Sequence, residues 1–240
     1  MVSELFAGMG VLLGYFLVCI ACLVLIRYFL KVPTELFRKT LHTILLFSVL
    51  ILVYYFKTWW ISVIATVIFA IVVFTILSIG ELFKGYSKFL TERSTGELKR
   101  SLLLAFGMFA IIILVCWGLF KDKMLVLVSI YAWGFGDAAA ALVGKRFGKH
   151  FVTGKLIEGR KSMEGTIAMF VVSFLSVMIV LLIRGGLPWH GYIPIAAITA
   201  AVCTVVELFT LKGYDTITCP LAAAATILPL LWVWGGLVLV

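Results

Sequence analysis

Residues 101–120, SLLLAFGMFAIIILVCWGLF, carry no charged side chain. As a helix rising about 1.5 Å per residue, a run of that length crosses the ~30 Å hydrocarbon core of a bilayer. Comparable apolar runs lie near 5–30, 41–56, 58–79, 124–143, 164–183, 190–209 and 217–239, separated by charged breaks. The chain is 64% hydrophobic with a mean hydropathy of +1.20, so its solvent is lipid. The pattern predicts an all-α polytopic integral membrane protein of about 8 (7–8) spans, forming one domain over residues 1–240. Gaps at Lys57 and at residues 121–123 are short enough for tight helical hairpins. The first run is long enough to stay in the membrane as an anchor rather than serve as a cleaved signal.

The five cysteines are odd in number and scattered through or beside apolar runs, which argues against a disulfide framework. Cys19 and Cys22 form a CxxC within the first span and read as small packing residues.

Charge sets the expected topology. Every Lys and Arg except Lys57, Lys121, Lys123 and Arg184 falls in or beside the loops after odd-numbered spans. The positive-inside rule therefore places those loops in the cytosol and both termini outside. The net charge of +9 reads as a topology signal and an attraction to anionic headgroups, with no nucleic-acid partner expected. All acids except Glu4 and Asp122 fall on the same side. Mixed charge gathered at one face predicts a polar site there.

Several clusters supply that face. Glu35, Arg38, Lys39 and His42 recur at i, i+3, i+4 and i+7, which places them on one helical face. A histidine just inside an apolar helix needs a partner or a task. Asp137 stands inside an apolar segment, about 10 Å from a helix end expected near Gly144. Gly134 and Gly136 before it suggest a break or a close backbone approach, and the alanines at 138–141 leave room for a neighbouring helix or ligand. Ser162 is a plausible N-cap for the sixth helix. That helix's free N–H groups, with Arg160 and Lys161, would suit phosphate oxygens. Glu164 follows in the first turn, where it either complements the helix dipole or helps hold a phosphate-bound cation. In VELFTLKGYDTITCPL, residues 206–221, Glu207 ends the seventh helix, Asp215 precedes the eighth, and Pro220 suits that helix's first turn. Such a convergence is expected for magnesium held by one or two carboxylates together with substrate phosphates.

RKTLH at 38–42, GDAAAALVGKRFG at 136–148, KSMEGT at 161–166 and the Asp215 to Pro220 pattern resemble the CTP-dependent lipid-alcohol kinases, which include dolichol kinase, phytol kinase and the CTP-using diacylglycerol kinase. These motifs occupy a minor fraction of the chain but occur in the family's order. The resemblance implies transfer of the γ-phosphate of CTP to the hydroxyl of a membrane lipid alcohol at the cytosolic face of a cell or organellar membrane, such as that of the endoplasmic reticulum. It implies Mg2+ at Asp137 and Asp215 with Glu164, and nucleotide binding by Lys145, Arg146, Arg160, Lys161, Ser162, Gly136 and Gly144. It also implies catalytic roles for Asp137, His42, Arg38 and Lys39, with His42 or a carboxylate as proton acceptor. The family has Asn after the last aspartate, whereas Thr216 stands there in this chain. The chain has neither a Walker A motif nor a kinase Gly-rich loop, so loop cations and helix N-termini would hold the triphosphate.

Two other functions fit the composition. Phosphatidate cytidylyltransferases, which are distantly similar, also use CTP, magnesium and a lipid, but their signature has a DRxD pair and no DR dipeptide occurs here. A non-enzymatic transporter would use an intramembrane acid for ion coupling, whereas the acids here gather toward one face. Nothing in the sequence sets the oligomeric state.

Overall fold

The computed structural model describes residues 2–30, 32–82, 96–152, 154, 157, 161–210 and 213–236. Arg160, Lys155 and Lys212 lie outside them. The helices are α1 (Val2–Phe29), α2 (Thr34–Tyr54), α3 (Trp59–Gly80), α4 (Glu97–Ile112, continued by a π-helical stretch Ile113–Leu119), α5 (Lys123–Phe147), α6 (Met163–Arg184), α7 (Tyr192–Phe209) and α8 (Asp215–Val233). A 3-10 turn, Trp189–Gly191, leads into α7. Eight of the described segments are long and apolar enough to cross a membrane, as the sequence predicted. The chain is an all-α polytopic membrane protein.

The chain divides into two compact units, Met1–Leu114 and Val115–Val240. In the first, an aromatic cluster joins α1, α3 and α4. Phe16 stacks on Phe69 at 5.2 Å, and Phe69 meets Phe106 edge-on at 5.2 Å. The Tyr15 hydroxyl of α1 donates to the Ile44 carbonyl of α2 at 2.8 Å. Gly8 lets α1 close onto the Phe56 ring, which a Cβ at that position would strike. The hairpin between α2 and α3 is tight, and Glu4 of α1 accepts from the Lys57 N–H at 2.8 Å.

The second unit is organised by α5, which is buried continuously from Leu125 to Gly134. It packs along α6 and against α7 and α8. The α5–α6 interface uses small residues at four-residue spacing. A Cβ on Gly136 would collide with Ser173 and Met169, and one on Gly165 would come within 2.9 Å of the Ala140 carbonyl and 3.3 Å of the Gly144 Cα. Positions 136, 140 and 144 of α5 thus run antiparallel to 165, 169 and 173 of α6. In lipid, where apolar surface gains nothing from leaving water, such close backbone approach is what holds helices together. The Ser173 hydroxyl donates to the Ala132 carbonyl and adds a polar bond to the seam. Gly136 therefore marks a close approach and not a break.

The far end of this unit is closed by a polar clamp. Asp122 caps α5 by accepting from Met124 N–H at 2.9 Å, and its other oxygen accepts from Arg184 Nε at 2.6 Å. Arg184 also donates from Nη2 to the Gly236 carbonyl at 2.6 Å. The clamp ties the start of α5 to the ends of α6 and α8.

α2 begins at Thr34, so the whole Glu35–His42 face is helical, as its spacing predicted. Two boundaries differ from expectation. α5 runs to Phe147, which puts Lys145 and Arg146 in its last turn, where cations complement the dipole. Asp137 is consequently about 15 Å from the helix end and not about 10 Å. α8 starts at Asp215, so Pro220 lies inside the helix and not in its first turn. Lacking an N–H, Pro220 cannot bond the Thr216 carbonyl.

The seam yields a test in detergent or nanodiscs. Gly136→Leu should lower the thermal unfolding midpoint, at a cost of about 1–3 kcal/mol or more from overpacking. Gly107→Leu on α4, where a Cβ meets nothing within 4 Å, should leave the midpoint near that of the parent.

Candidate active site

The second unit gathers polar groups where α5, α7 and α8 approach the start of α6. A two-residue antiparallel ladder pairs Phe151 with Ser162 and Val152 with Lys161, which sets the chain entering α6. The Ser162 hydroxyl then accepts from the Gly165 N–H at 3.1 Å and caps the helix, the role its position predicted. The cap is 4% exposed, and a Cβ on Gly148 would press on it at 2.9 Å.

From that ladder, Lys161 reaches the C-terminal end of α7. Its ammonium stands 3.0 Å from Glu207 Oε1, donates to the Glu207 carbonyl, and lies 3.3 Å from the Leu208 carbonyl. It thus satisfies helix-terminal carbonyls and neutralises a carboxylate at once, both favourable for a cation at a helix C-terminus. Lys161 and Glu207 are largely covered, at 21% and 14% side-chain exposure. An ion pair so shielded is less screened than a surface pair, and losing either member strands the other.

Glu207 lies within electrostatic reach of both Asp137 and Asp215. Asp137 is half-buried on α5, and Asp215 is half-buried at the first position of α8. The Trp133 indole N–H, one turn before Asp137, donates to Asp215 Oδ2 at 3.2 Å. Below this level, Cys203 and Cys219 are fully buried, and each thiol faces the other residue's carbonyl at 3.8 Å. Thr210 and Thr218 meet through their hydroxyls at 3.0 Å where α7 gives way to α8.

Other expected site residues sit elsewhere. Glu164 accepts from the His150 backbone N–H at 3.3 Å and pairs with His150 Nδ1 at 2.8 Å, so it ties the turn after α5 to the start of α6. Lys145 and Arg146 are exposed, with Arg146 over the Phe147 ring at 5.3 Å. Gly136 and Gly144 lie in the seam with α6. Thr216 is half-buried next to Asp215. In the first unit, taken by itself, Arg38 bridges Glu35 at 3.7 Å and Glu97 of α4 at 2.9 Å. Lys39 and His42 follow on the same helix, both half-buried. Lys99 pairs with Glu81 at 2.6 Å, joining α4 to the turn after α3.

Among the described residues, no group of three or more His, Cys, Asp or Glu side chains is close enough to hold a metal alone. Magnesium seldom uses such a cage; it takes one or two carboxylates and completes its octahedron with water and substrate phosphates. Hard oxygen donors from Asp137 and Asp215 fit that requirement. The positive charge of Lys161 offsets the negative charge of Glu207 beside them.

Two features escaped sequence reading. Trp133 looks like one more core aromatic, and only its i, i+4 relation to Asp137 hints at a link to the acids. Glu207 stood out as an acid at a helix end, but its pairing with Lys161 depends on the tertiary fold.

No protein-family model matches the chain, and no solved structure matches it. It is similar to a protein named "Phytol kinase" from Synechocystis sp., with 34% identity over 110 residues, covering 45% of this chain and 43% of that protein. It is also similar to a protein of Triticum aestivum named "Probable phytol kinase, chloroplastic", with 31% identity over 141 residues, covering 55% of this chain and 44% of the relative. The matches span less than half the length of either relative. The resemblance read from the motifs is thus carried by two relatives that bear the name of a lipid-alcohol kinase.

Proposed function

We propose that this protein is a membrane lipid kinase that transfers the γ-phosphate of CTP to the hydroxyl of a lipid alcohol at the cytosolic face of its membrane. The observation that carries this reading is the grouping of Asp137 and Asp215 within electrostatic reach of Glu207, whose carboxylate is paired with Lys161. The names of the two relatives make phytol the first acceptor to test, ahead of polyprenols and diacylglycerol.

On this reading Asp137 and Asp215 hold magnesium. Magnesium, when bound, neutralises phosphate charge and orients the terminal phosphoryl group for in-line transfer. Lys145 and Arg146, exposed at the end of α5, supply positive charge for the triphosphate, and Arg160 adds to it. Lys161 is committed to Glu207 and to the α7 carbonyls, so its part is to fix the acids in place. A carboxylate accepts the proton of the attacking hydroxyl, which a lipid alcohol presents laterally at headgroup depth. The hydroxyl oxygen forms the new P–O bond as the bond to the β-phosphate breaks, and CDP leaves.

Full-length protein in nanodiscs, given CTP, magnesium and phytol, should release CDP and form phytyl phosphate. Pyrophosphate release with a CDP-lipid product would instead identify a cytidylyltransferase, and no turnover with any lipid alcohol by intact protein would remove the kinase reading. Asp137→Asn should lower turnover by about 100-fold or more while the protein still inserts and keeps its unfolding midpoint. Lys161→Met should lower it by about 10- to 100-fold, with Lys161→Arg retaining more activity than the methionine variant.

A further inference from the structure

The indole of Trp133 is 2% exposed, and Nε1 is the only polar atom of its side chain. A buried indole N–H requires an acceptor, and a Phe or Leu would fill the same volume without that demand. The acceptor is the Asp215 carboxylate, on a helix 82 positions away in the chain. Trp133 is well placed for such a link. Its neighbour Ala132 is anchored to α6 by the Ser173 hydroxyl, and Asp137 follows four residues later, on the same face of α5. One helix therefore presents Asp137 directly and reaches Asp215 through an indole. At the start of α8 the N-cap residue, Tyr214, makes no side-chain cap bond.

We propose that Trp133 is a positioning residue which, through its N–H bond to Asp215 Oδ2, sets the placement of that carboxylate relative to Asp137 and thereby the affinity for the divalent cation. The inference rests on the reading of Asp137 and Asp215 as the magnesium-holding pair. Trp133 itself touches neither substrate nor metal. It orients a ligand that does, as outer-shell donors do for metal-binding carboxylates.

The experiment uses the full chain in nanodiscs and Mn2+ alone as the probe, with free Mn2+ followed by its EPR signal. Trp133→Phe removes the N–H and keeps an aromatic ring. Incorporating benzothienylalanine at position 133 keeps the two-ring outline and replaces N–H by sulfur, so it carries the test should the phenylalanine variant fail to fold. The Mn2+ dissociation constant should rise by about 10-fold or more in both, with the unfolding midpoint near that of the parent. Unchanged Mn2+ binding by the benzothienylalanine protein overturns the proposal. Asp215→Asn separates the two levels. If it abolishes Mn2+ binding while the benzothienylalanine protein binds normally, only the role of Trp133 falls. If it leaves binding intact, Asp215 is not a ligand, and the magnesium reading falls together with the positioning role.

Discussion

Helices in lipid gain no free energy by hiding apolar side chains from one another, so α5 and α6 need contacts of another kind. They obtain them by removing bulk: Gly136, Ala140 and Gly144 face Gly165, Met169 and Ser173, and backbones come close enough for dispersion and a hydroxyl bond to act. The polar groups of the second unit depend on that approach. It carries the start of α6 toward the end of α5, where Ser162 caps one helix and Lys161 extends to another. It also fixes the rotation of α5, on which the direction of both Trp133 and Asp137 depends.

The charged groups follow a second constraint. A carboxylate inside an apolar segment costs about 2.5–3.5 kcal/mol even on the more lenient insertion scales. Four of the acids each have a cation or a polar hydrogen close by: Glu207 has Lys161, Asp215 has the indole of Trp133, Asp122 has Arg184, and Glu164 has His150. The two faces nonetheless use this chemistry differently. Asp122 and Arg184 spend their bonding capacity on helix ends and leave a closed clamp. Lys161 and Glu207 instead tie the chain entering α6 to the end of α7, beside the acids Asp137 and Asp215.

The number and kind of spans were legible because uncharged runs of about twenty residues have one outcome in a bilayer. Helix ends were less legible. Phe147 and Asp215 extend their helices into stretches whose charges resemble loop sequence, and interfacial charge is compatible with helix when it complements the dipole. Ser162 announced its cap through local spacing, and Asp137 announced itself as an acid among alanines. The bonds from Lys161 to Glu207 and from Trp133 to Asp215 had no such signal, since they cross 46 and 82 positions and arise only when α5, α7 and α8 share an end. The bond from Glu164 to His150 was likewise hidden, since its place in the first turn of α6 suggested only a dipole-complementing acid or a partner for a phosphate-bound cation.

The four-residue cadence of the α5–α6 seam also limits how this sequence can drift over evolutionary time. A larger side chain at 136 needs smaller ones at 169 and 173, whereas at 165 the obstruction is the backbone of Ala140 and Gly144, which no change of side chain on α5 relieves. Substitutions at 136 must travel with size-matched changes at 169 and 173 and position 165 must stay small, whereas exposed residues of α1 such as Phe6, Leu17 and Val18 can change singly. The seam should therefore appear in descendants of this chain as coupled variation in volume, a record of helix contact legible without any structure.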